Sequence, residues 1–181
     1  MKPLFSVPLK YGAIGSVFAV GVIVALYYSG THPLLIPIFF DYRIVLFTIF
    51  IFLGLKEFKD FFNGGFLQFW QGMIIGIGIY LIVGLLAGIF VSSFSSLNEE
   101  FHDEYITGTI KGLELDKEQL VNTGSITISE EEFQSQVNML QESKPYVLGI
   151  DYFIKSSVLG FFLTILLSVI LRKTERRFTK E

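Results

Sequence analysis

No cysteine occurs among the 181 residues, so disulfide staples, thiolate metal sites and a cysteine nucleophile are all excluded. That absence leaves the redox compartment open. Histidine is almost as scarce, with only His32 and His102, and no H-E-x-x-H pattern is present. His102 sits among Glu99, Glu100, Asp103 and Glu104, but without a second histidine nearby this reads as a solvated acidic helix rather than a metal site. A third absence is charge: none falls within 11–29, 44–55, 72–92 or 156–171. A proton or ion path needs ionisable groups well inside a span, so none is expected through the middle of these segments.

What the chain does have is apolar length. It is 51% hydrophobic with a mean hydropathy of +0.57, too apolar for an ordinary soluble domain. We expect an all-α integral membrane protein with four transmembrane helices, at about 11–29, 38–56, 66–91 and 147–171. Twenty phenylalanines and eight tyrosines suit helix contacts and the headgroup level.

Lys2 and Lys10 precede the first run, which is long for a signal peptide and ends in Tyr27 and Tyr28 rather than at a small-residue cleavage site. It reads as an anchor. Ala13, Gly21 and Ala25 fall on a four-residue repeat, as do Gly12 and Ser16, which predicts a packed helix face. The second run is interrupted by Asp41 and Arg43, and 44–55 alone rises only ~18 Å against a hydrocarbon core of ~30 Å. The span is therefore extended to 38–56, with Arg43 and Lys56 reaching opposite headgroup layers. In 56–62, Phe58, Phe61 and Phe62 are expected on one side of an interfacial turn. Asn63, Gly64 and Gly65 then reverse the chain, and Phe66, Phe69 and Trp70 form an aromatic belt.

The third run carries Gly72, Gly76, Gly84 and Gly88, with Tyr80 in the remaining place of the four-residue spacing. The fourth carries Ser156, Gly160, Thr164 and Ser168 at the same spacing. Small residues on one face let helix backbones approach closely. Counting inward along two antiparallel spans sets Gly84 near Lys155 to Ser156, Tyr80 near Gly160 and Gly76 near Thr164, so the nine residues of the two small-residue rows are the expected packing surface.

Between those runs, 93–146 reads as an acidic extracytoplasmic helical hairpin. Leu97, Phe101, Tyr105, Ile106 and Ile110 fit one helix stripe beginning near Asn98, Asp116 with Gln119 starts a shorter turn, and 122–125 is the bend. Ser129 with Glu132 forms a capping box ahead of Phe133, Val137 and Leu140. From 98 to 143 there are eleven acidic residues against Lys111 and Lys117, so nucleic acid is not an expected partner. Gly108 and Gly112 are wrongly placed for an EF-hand.

Four spans gather Lys2, Lys10, Lys56, Lys59, Arg172, Lys173, Arg176, Arg177 and Lys180 on one side, leaving Arg43, Lys111, Lys117, Lys144 and Lys155 on the other. The positive-inside rule then puts both termini in the cytoplasm and the hairpin outside. In the basic tail 172–181, Arg172, Lys173, Arg176 and Arg177 set topology and are expected to contact anionic lipid, at about 1 kcal/mol each. Asp41, Arg43, Asp151 and Lys155 fall near the outer span ends as a candidate polar cluster. No residue is expected to be catalytic and no metal or cofactor is expected. Lys155 and Ser156 are helix neighbours that do not face each other, and Gly76-Ile77-Gly78 lies in an apolar run no phosphate reaches.

The order of these segments, with K-E-F-K-D-F-F-N-G-G-F-L-Q-F-W-Q-G at 56–72, resembles a bacterial family catalogued only as a domain of unknown function, numbered forty-one ninety-nine. The resemblance covers nearly the whole chain and implies a small inner-membrane protein of a Gram-negative bacterium. It brings no activity, cofactor or site residues. The reading from sequence is a non-enzymatic structural or accessory subunit, in contact with the lipid bilayer and with a membrane or periplasmic protein partner, with homo-oligomerisation left open. The alternative is a small-solute or lipid transport or binding protein that uses the polar cluster.

Overall fold

A computed structural model describes residues 2–122 and 130–174, and among them the regular elements are helical apart from one isolated bridge between Leu67 and Lys173. Six α-helices follow in order: α1 (Lys2–Tyr28), α2 (Tyr42–Glu57), α3 (Phe69–Leu97), α4 (Glu99–Asn122), α5 (Glu130–Gln141) and α6 (Tyr146–Ile170). Three of them, α1, α3 and α6, are long and apolar enough to cross a membrane.

α2 is shorter than its sequence suggests. Asp41 has extended backbone and its carboxylate accepts the Arg43 N–H at 2.9 Å, so it caps a helix that starts at Tyr42 rather than near residue 38. Ile38–Phe40 forms a separate 3-10 turn ahead of it. Sixteen residues rise about 24 Å, and a π-helical turn, Phe58–Phe62, continues the rod. That turn carries Phe58 into the core at 4% exposure and leaves Phe61 at 81%, so the three phenylalanines do not share one side.

α1 starts at Lys2, well before residue 11, and takes Pro8 into its interior. Proline has no N–H to offer the preceding turn, but here its ring has a compensating seat. A Cβ added to Gly78 would lie 2.7 Å from Pro8 Cβ. The packed face of α1 is Gly12, Gly15, Ser16, Ala19 and Ile23. Ala13, Gly21 and Ala25 are exposed, because a step of one residue turns a helix by about 100° and carries them off that face.

α3 is the central element, packed on α6 along one face and on α1 along another, while α2 touches all three. Along α3 and α6 the backbones meet through missing side chains. A Cβ on Gly72 would lie 2.6 Å from Ser168 Oγ, one on Gly76 2.4 Å from Thr164 Cγ2, one on Gly160 2.5 Å from Tyr80 Cβ, and one on Gly84 3.5 Å from Ser156 Cβ. Gly88 faces the Gly149 carbonyl, a contact whose α6 half escaped the four-residue spacing. Thr164 Oγ1 and Ser168 Oγ have no hydrogen-bond partner among the described residues, so these side chains serve by being small.

The two ends of the bundle are tied separately. At one end Lys10 pairs with Glu57 at 2.6 Å, Lys59 Nζ donates to the Leu171 carbonyl at 3.1 Å, and Leu67 and Lys173 exchange backbone hydrogen bonds at 2.9 and 3.0 Å. At the other end Asn98 donates to Tyr27 Oη at 3.1 Å. α1, α2, α3 and α6 thus run alternately up and down between the same two ends.

α4 begins where the Asn98 side chain accepts the Phe101 N–H at 3.3 Å, and buries Phe101, Tyr105 and Ile106. Leu97 is exposed, since it ends α3 instead of joining that stripe. α4 runs unbroken past Asp116, so no separate turn starts there. α5 packs on α4, with Lys117 Nζ 4.3 Å from the Phe133 ring centre. Of the expected bend, Asn122 ends α4 and the rest lies outside the described residues, as does Ser129.

Candidate functional site: a lateral pocket with a charged wall

The segment between α1 and α2 is fastened to α4 by His32. Its Nε2 donates to the Phe101 carbonyl at 3.1 Å while its Nδ1 accepts the Leu34 N–H at 3.4 Å, an arrangement that requires the neutral ring. The ring lies 4.5 Å from that of Phe101 and 5.7 Å from that of Tyr105. Burial lowers the pKa of His32 and outweighs the carbonyl contact that favours its cation. Leu35 leans on Gly108 so closely that a Cβ there would meet its Cδ1 at 2.2 Å. Leu34 and Ile36 are held in turn as one wall of a pocket.

The next wall comes from the cap of α2. Arg43 Nε donates to both Asp41 oxygens, at 2.9 and 2.8 Å, and Nη2 adds a third bond. Both residues are buried. Arg43 Nη1 also reaches α6, donating to Ser156 Oγ at 3.3 Å, and its guanidinium lies 5.2 Å from the Tyr152 ring centre. A buried pair of this kind persists only with good geometry and satisfied hydrogen bonds, and the fork of arginine supplies both.

α6 supplies the third wall. Lys155 pairs with Asp151 at 2.7 Å, four residues earlier on the helix, and Asp151 also accepts the Tyr105 hydroxyl at 3.0 Å. The resulting pocket holds about 460 Å³ and is lined by Asp41, Arg43 and Lys155 together with Leu34, Ile36, Ile154, Val158, Leu159 and Phe162. Three charged groups therefore meet a largely apolar trough in a volume typical of small-molecule sites, about 300–1,000 Å³.

Of the four residues in the expected polar cluster, Asp41, Arg43 and Lys155 line this pocket. Asp151 stands behind Lys155 and faces Tyr105. The packing residues of α3 and α6 lie between helices, and Ser156 alone among them touches the charged wall. Arg172 and Lys173 are at the opposite end of the bundle, where Lys173 Nζ lies 5.6 Å from the Phe66 ring centre. Arg176 and Arg177 lie outside the described residues. On α4 the acidic residues form no group able to hold a metal among the described residues, and His102 Nδ1 is 3.5 Å from Asp103.

Sequence reasoning passed over His32, Leu34 and Ile36. A single histidine followed by proline between two apolar runs belongs to no motif, and its partner Phe101 is 69 residues away. The one available signal was that His32 is the sole ionisable residue between the first run and Asp41.

A family model described as a protein of unknown function (DUF4199) matches residues 10–173. No curated protein and no solved structure matches the chain.

Proposed function

The chain belongs to DUF4199, a family of unknown function, and we propose that it is a four-span membrane protein whose pocket at Asp41, Arg43 and Lys155 binds the polar end of a membrane amphiphile. In this reading it binds and does not catalyse. The observation that supports it is the joining of charged groups to an apolar trough at the side of the bundle. Ile154, Val158 and Phe162 are each more than half exposed there, so an acyl chain can enter from the lipid phase without passing through water.

Four crossings are part of the proposal. α2 is too short by itself for a comfortable span, but its π-helical continuation and the shared end-to-end course with α1, α3 and α6 support a fourth passage. Lys10, Lys59 and Lys173 meet at one end, which the positive-inside rule makes the cytoplasmic face of a bacterial inner membrane. The pocket then opens in the outer half of the bilayer.

The test is to fill the trough. Native mass spectrometry of the full chain from mild detergent should show a retained amphiphile on the wild type and none on Val158→Trp. Equal occupancy of the two proteins would remove the reading. A second reading, an accessory subunit docking a protein on its outer helices, is favoured by the exposure of Leu115 and Met139 there. Stoichiometric recovery of one partner protein in a mild-detergent pull-down would support it.

A further inference from the structure

The donors and acceptors on the charged wall are unequally committed. Asp41 is engaged by the Arg43 N–H, by Nε at both oxygens and by Nη2. Its carboxylate has little left to offer a ligand. Arg43 has five side-chain N–H donors and commits three, that of Nε and one of Nη2 to Asp41 and one of Nη1, weakly, to Ser156. Lys155 has three and spends one on Asp151, while its side chain is 48% exposed. What remains for an occupant is N–H donation, which suits anionic oxygen and offers nothing to an ammonium.

Resting on the amphiphile reading, we infer that the occupant is an anionic phospholipid, with its phosphate on Lys155 and Arg43 and one acyl chain along Val158, Leu159 and Phe162. The volume of about 460 Å³ is about that of a single acyl chain, so the headgroup lies at the charged rim and the second chain stays in the bilayer. Lateral opening makes that division feasible, because the lipid never has to leave the membrane. Lysine suits a phosphate as a point charge, and the spare edge of the guanidinium adds direction. Moving Lys155 toward a phosphate also loosens its bond to Asp151, which the Tyr105 hydroxyl continues to hold.

The experiment is a binding titration of the full chain in mild detergent, followed by native mass spectrometry, with three lipids of identical chains: phosphatidylglycerol, phosphatidylcholine and diacylglycerol. We expect phosphatidylglycerol to bind about tenfold more tightly than diacylglycerol, a difference of ~1.4 kcal/mol. Lys155→Gln should lose most of that preference and Lys155→Arg should keep it, whereas Val158→Trp should weaken all three lipids alike. If all three bind equally and Val158→Trp still abolishes binding, the headgroup inference fails and the amphiphile reading stands. Preference for phosphatidylcholine also overturns the inference, and binding of none overturns both. Soluble glycerol phosphate is the fourth arm. Competition by it at matching concentrations would mean a free phosphate site instead of a lipid site, and we expect none.

Discussion

Tyr80 is seated directly on Gly160: a Cβ added to that glycine would lie 2.5 Å from both Cβ and Cγ of the tyrosine. Those two atoms are the ones closest to the α3 backbone, so they cannot swing aside as a side-chain tip could. Gly160→Ala must therefore push α3 and α6 apart or force Tyr80 off its rotamer. The expected loss is about 1–3 kcal/mol. Gly112, in α4, has nothing within 4 Å of its added Cβ, and Gly112→Ala should be neutral or stabilising by up to ~1 kcal/mol. Unfolding in detergent reads both, and equal effects would show that the close approach carries no energy.

The Asp41–Arg43 pair gives a second expectation. Either single change, Asp41→Asn or Arg43→Met, leaves a buried charge without its partner, at about 3–5 kcal/mol. The double variant leaves no buried charge and should recover much of that loss. A double-mutant cycle by thermal unfolding checks it, and simple additivity of the two losses would contradict a desolvated pair.

His32 makes stability depend on pH. Its folded pKa is lowered by burial, so the unfolded chain takes up the proton first as the solution is acidified. The docked neutral ring contributes fully above the unfolded value of about 6.5, and the contribution is lost as pH falls from there through the folded value. Protonation takes Nδ1 away from the Leu34 N–H, while Nε2 keeps the Phe101 carbonyl. In His32→Gln, which can still donate to that carbonyl but does not titrate, the acid-side decline in unfolding temperature should be smaller than in the wild type. Identical pH profiles would exclude this role.

How much of this was legible before folding depended on whether the determinant was periodic. The partners Gly76 with Thr164 and Tyr80 with Gly160 could be counted off because four-residue spacing survives intact in long helices. The same spacing in Ala13, Gly21 and Ala25 misled, since periodicity identifies a face without saying whether anything covers it. Gly12 and Ser16, which share that spacing, do lie on the covered face of α1 with Gly15, against Ile82, Val83 and Phe50 of other helices. The start of α2 was hidden because Asp41 was weighed as a charge near a bilayer, whereas its carboxylate acts first as a helix cap. Asp41, Arg43 and Lys155 could be named as polar residues near span ends. That they share one pocket depends on Arg43 reaching across to Ser156 and on the docking of 29–41 by His32, both long-range in sequence. The family was recognised from segment order, a property that does not need the fold at all.

Whether a phospholipid chain occupies the pocket is read by photolabelling in membranes with a phospholipid carrying a diazirine on its acyl chain, followed by peptide mapping. Labelling should concentrate at 154–162 on α6 and at Leu34 and Ile36, and fall sharply there in Val158→Trp. Labelling spread evenly over the exposed apolar faces of α1, α2 and α6, unchanged by Val158→Trp, would contradict that occupancy.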